Sequence, residues 1–199
     1  MQLNLLEREA EGERLTTLFD AAKAGRGAMA LVAGEAGIGK TTFVRHFAQA
    51  QAEALVVVGH CDPLFTPAPL GPLYDIARAL KGPMLDILDA GASRAALFSN
   101  ILAYLRTLER PAVIVVEDIH WADEATLDWI KYLARRLEGM KLLFIATYRD
   151  DEPTVQLRQL LGELAGAPSV SRITLEGLST ASIAVLAKGK AIDPVALHR

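Results

Sequence analysis

With 199 residues, 51% of them hydrophobic and 23% charged, the chain has the size and composition of one globular α/β domain and not of a disordered segment. A net charge of −3 and a pI near 5.8 argue against nucleic-acid binding driven by charge. Its apolar runs are too short to span a bilayer, and residues 1–20 carry too many charges for a secretory signal. The single cysteine, Cys61, excludes an internal disulfide and favours a cytoplasmic setting.

The first strand-like run is Met29–Ala33, apolar throughout, as suits a strand buried on both faces. Directly after it, Gly34-Glu35-Ala36-Gly37-Ile38-Gly39-Lys40-Thr41-Thr42 fits G-x-x-x-x-G-K-[ST], the Walker A phosphate-binding loop. The glycines let the backbone approach a phosphate, and the amides of such a turn point inward as an anion nest. Lys40 is expected to reach the β- and γ-phosphates, and Thr41 to offer its hydroxyl to Mg²⁺. Phe43, Val44 and Phe47 follow at helical spacing, so the loop opens a helix whose N-terminus favours anions.

A second apolar run, Leu55–Gly59, precedes Cys61, which reads as a buried, inert thiol. Four prolines between Asp62 and Pro72 mark a loop. Helical patterns follow over 73–80 and 93–108, separated by Gly82-Pro83.

The third run, Ala112–Glu117, ends in two acids, Glu117 and Asp118, which is the Walker B pattern. In an open α/β sheet ligands sit beyond the carboxyl ends of strands, the edge from which the phosphate loop also leaves. Glu117 is assigned to the water shell of the metal held by Thr41, and Asp118 to activation of the attacking water. Asp118 is a shorter arm than the Glu often found at that place, so slow hydrolysis is expected, as suits a switch better than a motor. His120 and Trp121 come next; the histidine is either a packed loop residue or a group that senses the γ-phosphate. Asp123 reads as the N-cap of a helix that buries Leu127, Ile130, Leu133 and Ala134.

The fourth run, Lys141–Thr147, exits through Tyr148 and Arg149. Thr147 or Arg149 is expected beside the phosphates, where a cation stabilises γ-phosphate charge; an ordinary surface pairing of Arg149 with Asp150 or Asp151 is the alternative. The fifth run is Ser171–Leu175, after which Ser179 reads as an N-cap for a helix through Ile183 and Leu186. Alternation of apolar runs with helical patterns implies a mainly parallel sheet covered by helices on both faces. There is no zinc-like Cys/His spacing and no G-x-S-x-G elbow.

Taken together, Leu31–Thr42, Val115–Asp123 and Ala146–Arg149 resemble the ATPase domain of the STAND class of signal-transduction NTPases. The resemblance is to the AAA-type kind found in large LuxR-type transcriptional regulators and some cyclase-linked proteins. Leu5–Glu11 is similar to that family's N-terminal Arg-Glu motif near the adenine, with Glu7 where glycine is commoner. The resemblance implies a P-loop NTPase three-layer sandwich around a five-stranded sheet, with ATP as the nucleotide and Mg²⁺ as the metal. It also implies Arg149 as a γ-phosphate sensor, and it admits nucleotide-dependent self-association. It places the ATPase core at residues 1–178 and the start of a helical lid at 179–199, with the rest of the lid and the output domains expected elsewhere in a longer protein. The function expected is an ATP-binding, slowly hydrolysing regulatory switch that contacts neither nucleic acid nor membrane through this segment. The alternatives are a stand-alone small-molecule kinase, which shares the phosphate loop, and a non-catalytic interaction domain, which the acids argue against.

Overall fold

Successive residues of a strand face opposite sides of a sheet, and here both sides are covered. In β1 (Ala28–Ala33), β3 (Ala112–Glu117) and β4 (Leu142–Tyr148) every position is buried. This is why the sequence shows continuous apolar runs there and no alternation. The computed structural model describes residues 7–64, 66–151, 153–179 and 182. Within them β2 (Leu55–His60) and β5 (Val170–Thr174) complete a five-stranded sheet in the order β2-β3-β4-β1-β5, every pairing parallel. Each strand expected from the sequence is present, displaced by at most one residue at either end.

Alternation sorts the core into two layers. Ala28, Ala30 and Val32 of β1, Val113 and Val115 of β3, and Leu143 and Ile145 of β4 face one side. There they meet Leu15, Phe19 and Ala22 of α1 (Glu9–Lys23) and Phe43, Val44 and Phe47 of α2 (Lys40–Gln49). Met29, Leu31, Ile114, Val116, Phe144 and Tyr148 face the other side. That side is covered by α3 (Gly71–Leu80), α4 (Met84–Asp89), α5 (Arg94–Arg106), α6 (Glu124–Ala134) and α7 (Val155–Leu164). The result is the three-layer α/β sandwich expected.

The helix expected over 73–80 starts at Gly71 because Pro72, which lacks an amide hydrogen, fits the first turn. The helix expected over 93–108 is α5, capped by the Ser93 hydroxyl, which accepts from the Ala96 amide at 3.4 Å. Asp123 is the N-cap foreseen for α6: its Oδ1 accepts from the Thr126 amide at 3.1 Å. Its Oδ2 also accepts from the Leu70 amide at 3.1 Å, tying the proline-rich loop to the segment that follows β3.

At the chain's far end, the Ser182 amide donates to the Ser179 hydroxyl at 3.2 Å, as at a helix start. Ile183 and Leu186, which the sequence assigns to that helix, lie outside the described residues, as do Leu5 and Leu6 of the N-terminal motif. Among the described residues no helix is long and apolar enough to cross a membrane.

Candidate functional site

The strand order places β4 between β1 and β3. The exit of β4 therefore lies between the loop that leaves β1 and the acids that end β3. In register, Ala33 sits beside Tyr148, and Val116 beside Ala146. A crevice at the carboxyl ends of parallel strands, where the chain order switches, is where such sheets bind ligands.

The loop after β1 is built for close backbone approach. Gly39, which precedes α2, has φ 97°, a left-handed conformation that side chains resist. A Cβ on Gly34 would come within 2.9 Å of Ile38 Cγ2 and 3.0 Å of the Leu175 carbonyl, so only glycine lets the loop pass that wall. The Phe43 amide bonds the Gly39 carbonyl at 2.9 Å. The amides before it in α2 are the free donors every helix start leaves, directed at whatever occupies the loop.

Lys40 is buried, and its Nζ donates to the carbonyls of Gly34 (2.7 Å) and Glu35 (2.8 Å). Burial pushes its ammonium below the ordinary lysine value. Asp118, Asp150 and Asp151 pull it back up, and Arg149 presses it further down. Groups from the exits of β1, β3 and β4 thus share one electrostatic field around a single ammonium.

The two acids part ways. Glu117 continues the set of β3 residues that faces α2; its side chain is only 5% exposed. Oε2 accepts from Arg45 Nη2 at 3.2 Å and lies 3.3 Å from His60 Nδ1, while Oε1 is buried without a hydrogen-bond partner among the described residues. Asp118 follows in a left-handed turn (φ 61°), and its amide donates to the Thr147 hydroxyl at 2.9 Å. That turn takes its carboxylate off the strand's pleat and into the field of Lys40.

His120 is buried, with neither ring nitrogen partnered among the described residues; Nδ1 is 3.9 Å from Asp118 Oδ1, and the ring packs 4.4 Å from Trp121. Burial pushes its imidazole below the ordinary value against the pull of Asp118. Arg149 places its guanidinium 5.0 Å over the Trp121 ring; among the described residues it forms no ion pair with Asp150 or Asp151. Cys61 is buried, and its thiol is pushed up to about 12 by burial and by the neighbouring carboxylates Asp123, Asp118, Asp62 and Asp75, in keeping with an inert thiol.

Arg45 and His60 were not singled out from the sequence. Helix spacing is the sequence signal for Arg45, and strand register, which only the structure shows, accounts for His60. Arg45 stands four residues after Thr41, on the same face of α2, and His60 ends β2 directly opposite Glu117 in the ladder. A nucleotide with a divalent cation fits these residues: a buried ammonium, free helix-start amides, a hydroxyl at Thr41, and a buried carboxylate oxygen that still lacks a donor.

Comparison with known proteins agrees with this fold. The chain is similar to the crystal structure of Cdc6p from Pyrobaculum aerophilum, with a TM-score of 0.69 and 18% identity over 96% of this chain and 51% of that one. It is similar also to the Aeropyrum pernix ORC1 protein, solved in complex with DNA, with a TM-score of 0.59 and 17% identity over 94% of this chain and 50% of that one. At such identities the likeness speaks to the fold. Over 190 residues the chain is 27% identical to the uncharacterized protein R02095 of Rhizobium meliloti (strain 1021), a match covering 73% of this chain and 18% of that protein. The chain thus spans less than a fifth of that curated relative and about half of each archived fold relative. The family model of the AAA ATPase domain matches residues 4–145, which take in the phosphate loop, both acids and most of β4, and the chain belongs to the AAA ATPase domain family.

Proposed function

We propose that residues 1–178 form the ATP-binding core of a slow ATPase that works as a regulatory switch, and that residues 179–199 begin a helical lid. A nucleotide-binding role follows from the family. The further step to a hydrolytic switch rests chiefly on one observation: β4 lies between β1 and β3, so the strand exits that carry Lys40, Asp118 and Arg149 meet at one edge of the sheet. The match to less than a fifth of a longer relative supports a domain that serves a larger protein; the motifs themselves resemble those of STAND-class and LuxR-type regulators.

In this reading Lys40 leaves its two carbonyl partners for the β- and γ-phosphates, and the amides at the start of α2 bind the same oxygens. Thr41 and Glu117 would hold a magnesium ion and its waters, which would neutralise charge on the triphosphate. Asp118 orients the attacking water and accepts its proton, with the buried His120 ring packed beside it, Nδ1 3.9 Å from Asp118 Oδ1. Arg149, propped on Trp121, meets the charge that grows on the γ-phosphate. The chemistry is ATP plus water giving ADP and phosphate. The conformational readout is the ordering of the segments after β3 and β4 around the γ-phosphate and their release after hydrolysis, with nucleotide-dependent self-association as one outlet.

Asp118→Asn keeps the shape and removes the base. Phosphate release is expected to fall about 100-fold or more, with ATP affinity held within about threefold, since general bases contribute on the order of 10²–10⁴. Phosphate release measured under saturating ATP reads the first quantity, and equilibrium titration reads the second. Unchanged phosphate release in Asp118→Asn would remove that residue from the reaction, and transfer of phosphate to an added small molecule in place of water would point to a kinase.

A further inference from the structure

Glu117 is held unevenly. One oxygen, Oε2, is taken by Arg45 at 3.2 Å and approached by His60 Nδ1 at 3.3 Å; the other, Oε1, is buried and has no hydrogen-bond partner among the described residues. Buried carboxylates are costly unless their charge and lone pairs are met, so an oxygen left bare in such a place signals a partner that arrives later. The backbone around it is fixed as well. The Cys61 amide donates to the Glu117 carbonyl at 3.0 Å, and the His60 amide donates to Asp75 Oδ2 at 3.2 Å on α3. The main chain therefore does not re-aim the carboxylate, and its orientation is set by the side-chain torsions, the last of which decides which oxygen faces which partner.

That rotation matters because the terminal torsion of a glutamate is broad and two-fold, and it exchanges the two oxygens freely when nothing holds them. Arg45 breaks the symmetry. It lies one helical turn beyond Thr41 on the same face of α2, so it can hold Oε2 on the side away from the loop. Its own side chain is 54% exposed, so it takes little part in the core and acts on Glu117 from the solvent side.

We propose that Arg45, seconded by His60, is a positioning residue for the divalent cation: it anchors Oε2 of Glu117 so that Oε1 stays fixed as the acceptor for a metal-bound water beside Thr41. The inference rests on the nucleotide-site reading and adds to it residues that the phosphate-loop and acid motifs do not contain. A longer acid at this place, one methylene beyond aspartate, has an extra torsion to lose, and the Arg45 contact removes that freedom before the cation arrives.

The test measures the affinity of the 199-residue chain for a fluorescent, non-hydrolysable ATP analogue as a function of Mg²⁺, with an EDTA arm. In Arg45→Ala the Mg²⁺ concentration giving half the metal-dependent gain in affinity is expected to rise about tenfold, the low end of what losing a group that orients a metal's ligand costs. Affinity in EDTA is expected to stay within about twofold, because the phosphate contacts of Lys40 and the loop do not involve Arg45; this arm also reports that the variant is folded. Arg45→Lys, which keeps the charge but not the planar fork, is expected to recover part of the shift. A midpoint that stays put or falls in Arg45→Ala overturns the positioning role while leaving the nucleotide site intact. Loss of affinity in both arms assigns Arg45 to the fold or the phosphates instead and equally overturns it. A wild-type affinity that ignores Mg²⁺ overturns this inference together with the metal part of the proposed function.

Discussion

Replacing Lys40 with alanine is expected to weaken ATP binding at least about 100-fold, a loss of about 2.7 kcal/mol. The size follows from where the ammonium sits. It is buried, its charge is already disfavoured by desolvation and by Arg149, and only the carboxylates around it push the other way. A triphosphate brings several negative charges to this point, and a desolvated charge pair loses on the order of 2–5 kcal/mol when one partner is removed. The fold is expected to survive. Lys40 opens α2 at the rim of the sheet, and its present bonds are to two loop carbonyls, Gly34 and Glu35, that water can reach once the side chain is gone. Equilibrium titration with ATP and Mg²⁺, beside a thermal melt without nucleotide, separates the two effects. A large drop in melting temperature would make the lysine a structural residue.

The largest loss of stability is expected from Phe144→Ala. Phe144 lies at the middle of β4, between Met29 of β1 and Ile114 of β3, and is 1% exposed. Its side chain lies in the layer between the sheet and the helices that cover this side, where the backbone of a central parallel strand cannot collapse to close a void. Phe→Ala in such places costs about 3–5 kcal/mol, against a total of about 5–15 kcal/mol for a typical domain. Urea denaturation is expected to show a lower midpoint at unchanged slope. A midpoint shift worth less than about 1 kcal/mol would mean that this layer is loosely packed.

What the sequence discloses and what it conceals follow from how each feature is encoded. The strands of a sheet covered on both faces are written as unbroken apolar runs, so β1, β3 and β4 were legible almost to the residue. The phosphate loop was legible because each of its residues is fixed by a local need. Helices were harder. In α1 only Leu15, Phe19 and Ala22 are buried, spread through a charged stretch, and the short α4 occupies the break expected at Gly82-Pro83. In α7 the signals were present, with Leu157, Leu160 and Leu164 at helical spacing and Thr154 as an N-cap accepting from the Leu157 amide at 3.2 Å, but they follow an acidic turn-like stretch.

Contacts between distant residues were not legible at all. Arg45 and Glu117 are 72 residues apart; helix spacing puts Arg45 on the face of Thr41, but the pairing with Glu117 is set by the packing of α2 on β3. The same holds for the Thr147 hydroxyl that receives the Asp118 amide across 29 residues. Motifs name the groups that touch a ligand; the groups that aim them are set by register and helix phase, which emerge only once the sheet is assembled.

ATP is expected to bind between the loop after β1 and the ends of β3 and β4. Amide hydrogen exchange with and without Mg²⁺-ATP tests it at the level of segments. Slowed exchange is predicted across Gly34–Thr42 and, to a smaller degree, across residues 117–123 and 147–151, with the amides of the far edge around Arg110 and Lys141 unchanged. Protection confined to other parts of the chain, or none at saturating ATP, would contradict the account.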